Sequence, residues 1–166
     1  MTRPAIPLLA AIAAAYAAAG GPAVTPAAGR AKLDGAERAV IRHVNAFRGR
    51  HGLPRVRPSR SLSRAADRHS RDMLARDFFA HFSSDGTSFD RRVRRYAGAD
   101  AVGETLAVLP NDTGGAAAIV RMWIASPPHR AVLLTGRFQR IGVARRRGSL
   151  GGGRRSVVTA DFASTR

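Results

Sequence analysis

Four residues of this chain combine types and settings that could do chemistry: Glu104, His81, His129 and His69. Residues Val102 to Leu109 alternate as a strand, so the Glu104 side chain points the same way as Val102, Leu106 and Val108. A carboxylate on an apolar face requires a counter-charge, a hydrogen-bonding histidine or a metal; alone, it would be driven toward its neutral form. The alternative is that Glu104 sits at a bulge or strand end in water. His129 lies in Ser126-Pro127-Pro128-His129, where Ser126 can be an N-cap and Pro127 the first helical residue. That places His129 in a first turn, whose positive end disfavours imidazolium and leaves a neutral ring able to accept a proton or a metal. An idle surface histidine is the competing reading. His81 follows Phe78-Phe79-Ala80 and precedes the turn-forming Ser83-Ser84-Asp85-Gly86, at an element's edge where it could face a cleft. His69 shares an apolar helix face with Met73 and reads as a hydrogen-bonded histidine of the core or cleft floor. His43 and His51 carry no comparable argument.

Several chemistries are excluded. The absence of cysteine removes disulfides, thiolate metal sites and a thiol nucleophile, so any metal must be held by histidine and carboxylate. Neither H-E-x-x-H nor G-x-S-x-G occurs, and a Ser/His/Asp triad could be assembled only by choosing freely among many serines. The run Gly148-Ser149-Leu150-Gly151-Gly152-Gly153 lacks the Lys-Ser/Thr of a phosphate-binding loop. No complete catalytic motif is present.

The elements that must position these residues are predicted as follows. Asp34 and Glu37 form a capping-box pattern ahead of Val40, Val44 and Phe47 at helical spacing, and Gly52 and Pro54 close that helix. A second helix starts near Ser59 or Ser61, with Leu62, Ala66, His69 and Met73 on one face, and persists to about Asp77. A third covers Thr87 to Tyr96, and Ala116 to Ile124 is a fourth. Phe138 to Ala144 and Ser156 to Ala163 read as strands, with the Arg/Gly stretch from Arg145 to Arg155 as a hairpin loop between them. Helices first and an antiparallel pair last imply an α+β fold in one domain, which 166 residues suffice to build.

Residues 1–30 read as a signal peptide and short linker: Arg3 is a positive start, an apolar stretch runs to Ala19, and Ala17-Ala18-Ala19 fits a cleavage signal. The folded domain is 31–166. Nothing later is long and apolar enough to span a membrane, so a secreted, extracellular protein is expected. Of the 28 basic residues, 27 are Arg; with 11 acidic residues the net charge is +17, a basic protein. Aromatics make only 6% and are not interleaved with the arginines, which argues against nucleic acid. Two Arg clusters, one of Arg91, Arg92, Arg94 and Arg95 and one of Arg145 to Arg147 with Arg154 and Arg155, could instead bind an anionic cell-envelope polymer. The competing explanation is compositional bias on a solvated surface.

The order of short motifs resembles the CAP superfamily of cysteine-rich secretory, antigen 5 and pathogenesis-related proteins, in its bacterial SCP-like extracellular branch. Asn45-Ala46-Phe47-Arg48 with His51-Gly52-Leu53-Pro54, Phe78-Phe79-Ala80-His81, Gly103-Glu104-Thr105-Leu106-Ala107 and Trp123-Ile124-Ala125-Ser126-Pro127-Pro128-His129-Arg130 carry it. Ile141-Gly142-Val143 and Thr159-Ala160-Asp161-Phe162 complete the series, which spans about Ala36 to Ala163. The resemblance implies an α-β-α sandwich with a three-stranded antiparallel sheet between helices. It also implies a cleft at His81, Glu104 and His129, with Ser126 where related proteins often place a second acid, and Thr105 where Asn is usual. Zinc or another divalent cation on His81, Glu104 and His129 is part of what it implies, and Asn45, Arg48 and Trp123 are its structural positions. It also points to a binding or defence-type module for a lipid, an envelope polymer or a host factor, ahead of a metal-assisted hydrolase in which the ion activates water. Nothing in the sequence sets an oligomeric state.

Overall fold

A computed structural model describes residues 33–110 and 113–165; the signal segment expected over 1–30 lies outside them. Helix α1 (Gly35–Gly49) begins with the reciprocal cap that the sequence encodes: Asp34 accepts from the Glu37 N–H at 2.8 Å, and Glu37 accepts from the Asp34 N–H at 2.9 Å. A two-residue strand β1 (Arg57–Pro58) leads to α2 (Arg60–Ala75), whose N-cap is Ser59. Then come α3 (Phe89–Ala97), β2 (Val102–Pro110), α4 (Ala116–Ala125), α5 (Pro127–Leu133), β3 (Arg140–Leu150) and β4 (Gly153–Ala163).

The four strands form one sheet in the order β1-β3-β4-β2. Both β2 and β3 run antiparallel to β4, which makes the expected antiparallel three, but β1 adds a parallel fourth strand on β3. The sheet is therefore mixed and four-stranded. Two residues between helices carry no periodicity, so β1 leaves no trace in the sequence. The Arg/Gly stretch is also corrected: β3 and β4 run through it, paired from Arg140↔Ala163 to Leu150↔Gly153, and only Gly151 and Gly152 turn. Both glycines have positive φ, +58° and +74°, as a two-residue hairpin turn of right-handed twist requires.

Helices cover both faces. On one, α1, α4 and α5 pack over Ile141, Val143, Val158, Ala160 and Phe162 in a continuous apolar core. Trp123 of α4 is fully buried there and donates its indole N–H to the Leu106 carbonyl at 2.9 Å. Arg48, also fully buried, binds the carbonyls of Pro54, Leu133, Thr135 and Phe138 and so ties α1 to the end of α5. Asn45 holds Val56 through both amide atoms, donating to its carbonyl at 3.0 Å and accepting from its N–H at 2.8 Å. On the other face α2 lies so close to the sheet that a Cβ on Gly142 would stand 2.1 Å from the Leu62 and Ser63 backbone.

Candidate functional site

The site forms at the β2 edge of the sheet. Gly103 lets α5 approach that edge, since a Cβ there would fall 2.8 Å from Phe138 and 3.0 Å from Val132. Its neighbour Glu104 points to the α2 face and is 3% exposed. Its partners are cationic and imidazole groups from three other segments. Oε1 accepts from His81 Nδ1 at 2.8 Å, Oε2 accepts from the Arg92 guanidinium, and His69 Nε2 stands 4.0 Å from Oε2. The carboxylate is thus placed in the apolar layer and given a counter-charge, and water at a strand end plays no part.

His81 is half-buried in the segment between α2 and α3. Because Nδ1 is committed to Glu104, its Nε2 remains free of that bond, and its ring centroid lies 5.9 Å from that of His129 and 6.0 Å from Phe89. His129 stands in the first turn of α5, with Ser126 at the N-cap position and Pro127 at the first helical residue. The Ser126 side chain makes no capping hydrogen bond. Burial, then the nearby His81 charge, hold the His129 ring below the usual imidazole range, against an opposing pull from Glu104. His69 is 1% exposed, donates from Nε2 to the Ala80 carbonyl at 2.9 Å, and is likewise held down chiefly by burial. It forms the floor. For Glu104 burial alone would raise the pKa, but the His81 hydrogen bond and the Arg92 charge outweigh it and hold the group below the ordinary carboxylate range.

Two contributors are absent from the sequence reading as site residues. Arg92 falls inside a run of arginines taken for a surface cluster, yet it is 8% exposed and binds Glu104, the His81 carbonyl and Ser83 Oγ. Its signal was helical periodicity: with Phe89, Val93 and Tyr96 it belongs to the inward face of α3. Asp161 sits directly opposite Glu104 in the β2–β4 register and is wholly buried, and neither of its oxygens accepts a hydrogen bond. Burial first, then the Glu104 charge, push its carboxyl well above the ordinary range, against an opposing pull from Arg92. The two acids are pushed in opposite directions, Asp161 toward its neutral form and Glu104 toward its ionised one. The second Arg cluster is also thinned, since Arg146 binds Asp67 of α2 and Glu37 of α1.

His81, Glu104 and His129 do not fit a divalent ion as a three-ligand centre. Both Glu104 oxygens are engaged and one contacts a guanidinium, so a cation already occupies the place beside the carboxylate. Among the described residues no group of three His, Cys, Asp or Glu is arranged to hold a metal ion. What remains open is a pair of imidazoles, one of them aimed by a buried carboxylate.

Comparison with known proteins places this architecture. The chain is 31% identical over 108 residues to an "uncharacterized membrane protein", YlbC of Bacillus subtilis, covering 64% of this chain but only 30% of that protein's length. No helix among the described residues is long and apolar enough to cross a membrane. An extracellular SCP-domain protein of Bacillus anthracis superposes with a TM-score of 0.66 at 26% identity, over 79% of this chain and 41% of that one. An outer surface protein of Borrelia burgdorferi shares the fold at 17% identity, with a TM-score of 0.64 over 78% of this chain and 92% of that one. The model of the cysteine-rich secretory protein family, CAP, matches residues 41–162, from within α1 to the penultimate residue of β4. Though it contains no cysteine, this chain belongs to the CAP family.

Proposed function

We propose that this protein is an exported CAP-domain binding module, carried out of the cell by its first 30 residues. Its ligand, a lipid, an envelope polymer or a host factor, docks at His81, Glu104 and His129, with Ser126 at the rim and His69 in the floor. The observation that carries this reading is the His81–Glu104 pair, which holds the His81 ring 5.9 Å from that of His129. An imidazole held by a buried carboxylate needs little reordering when a ligand arrives, and pre-organisation of this kind favours affinity. The lowered basicity of His129 leaves it an acceptor for ligand hydroxyl or amide protons. Metal-assisted hydrolysis is the weaker reading, because Glu104 offers no free oxygen to an ion or to a proton in transit.

Imidazole NMR signals give the direct test, using soluble peptidoglycan fragments, phosphatidylglycerol vesicles and Zn²⁺ as separate probes. The reading expects one of the first two to shift the His81 and His129 signals, and Glu104→Gln to weaken that response. Silence from both histidines toward every probe would overturn it, and a response to Zn²⁺ alone would favour the metal reading. N-terminal sequencing of the exported chain should begin between Gly20 and Lys32; an intact Met1 on a membrane-bound form would refute export.

A further inference from the structure

Away from the cleft, arginines converge on a hollow between α1 and the extended segment that follows it. Arg38 and Arg42 lie one turn apart on α1. Arg55 and Arg57 flank Val56, which is buried, so strand alternation sends both of their side chains outward. These four, with Ile41, Asn45, Pro54, Val56 and Pro58, line a groove of about 630 Å³. Its walls are fixed. Asn45 clamps Val56, Arg48 holds the Pro54 carbonyl at 2.9 Å, and the N–H groups of Arg57 and Ser59 bind the carbonyls of Gln139 and Ile141 at 2.8 and 2.7 Å.

No acidic residue lines this groove. Glu37, the nearest acid inside α1, is turned to the Asp34 N–H and to Arg145 and Arg146, and Asp34 is spent in the cap. Among the described residues the side chains of Arg42, Arg55 and Arg57 have no hydrogen-bond or ion-pair partner, and Arg38 donates only to the Leu33 carbonyl. Four like charges are therefore held around one concavity without a counter-ion, an arrangement that an anion relieves.

We propose that this groove is a second binding site, for a linear polymer bearing repeated phosphate anions and no nucleobases. Guanidinium groups match phosphate oxygens in a two-point geometry. The paired arginines are offset by about 6 Å along the helix and about 7 Å along the strand, which spreads the charge for several anionic groups along a chain. The apolar floor is nearly closed, with Ile41 5% and Val56 2% exposed, and so offers little to an acyl chain. No aromatic ring lines the groove to stack on bases.

Inorganic polyphosphate is the probe, titrated onto the full chain over a series of salt concentrations. Arg42→Ser with Arg55→Ser should bind about tenfold more weakly at low salt, with a salt slope flatter by about one for each arginine removed. The charge-matched control is Arg64→Ser with Arg68→Ser, two exposed positions on α2 across the sheet; it should stay within about twofold of the parent. All four residues are exposed, so thermal midpoints should be unchanged. His81→Ala with His129→Ala should retain polyphosphate binding, which separates this site from the cleft. Equal losses in the two arginine variants would overturn the proposal in favour of general charge. Loss on phosphatidylglycerol vesicles but not polyphosphate would overturn it in favour of a membrane, and tighter binding of single-stranded DNA in favour of nucleic acid.

Discussion

The two faces of the sheet are built on opposite principles. Beneath α1, α4 and α5 the contacts are apolar and continuous from Val40 to Phe162, and the polar groups there are held by backbone carbonyls at the margins. Beneath α2 and α3 the apolar contacts divide into two small clusters, one around Leu62, Val93 and Ala163 and the other around Met73, Leu106 and Val157. Between them runs a buried polar seam of Arg92, Glu104, Asp161, His69 and the Ser70–Thr159 hydroxyl pair, 2.9 Å apart. A buried ionic network is weak evidence for stability, since desolvation offsets most of the attraction. The comparison teaches a division of labour: one face supplies the folding free energy, and the other uses some of it to hold charged groups where water could not orient them.

The comparison can be broken first on the apolar side. Trp123→Ala removes the largest fully buried side chain and leaves the Leu106 carbonyl without its donor, and is expected to cost about 3–5 kcal/mol in chemical denaturation. An unchanged unfolding midpoint would mean that this face is not the source of stability. On the polar side Arg92→Leu strips Glu104 of its guanidinium, and a buried charge left without its partner should cost about 3 kcal/mol or more. If that variant is neutral, the seam is wet and the division of labour fails. Gly142→Ala tests the closeness of α2 to the sheet: a Cβ 2.1 Å from backbone cannot be relieved by a side-chain rotation, so about 1–3 kcal/mol is expected.

What was legible in the sequence follows the same division. The apolar face is written in periodicity, and the capping pairs at Asp34 and Ser59 and the proline after Ser126 mark helix starts closely. Glu104 could be read because an acid in an apolar alternation is anomalous. Its partners could not be read, because a partner is a matter of tertiary register. Asp161 faces Glu104 only once β2 and β4 pair in one particular alignment, and Arg92 differs from Arg91 and Arg94 only in the direction its helix position points. The β3–β4 hairpin was read short because arginines and glycines have weak strand preference, whereas pairing with a core strand overrides local preference. The two-residue β1 exists only through its neighbour β3.

The smallest expected effect is also the most specific to the polar seam. Above the ordinary carboxylate range Glu104 is ionised, and it contributes stability that disappears as pH falls through its lowered folded value. Asp161 has the opposite sign. Its folded pKa lies well above the ordinary 3.8, so the native state keeps a proton that the unfolded chain releases, and stability falls as pH rises from about 4 toward that folded value. Asparagine is nearly isosteric and does not titrate. Asp161→Asn should therefore change stability by less than about 1 kcal/mol at pH 4. The difference should then grow in the variant's favour toward neutral pH, as read from denaturation midpoints at a series of pH values. Contributions from His69 and His129 are common to both proteins and cancel to first order, and Glu104, held below the ordinary carboxylate range, is ionised above about pH 5, so the slope between about pH 5 and neutrality reports Asp161. A difference that stays flat with pH would show an ordinary carboxyl at this position, and the seam would then hold two negative charges face to face, with Arg92 paired to Glu104.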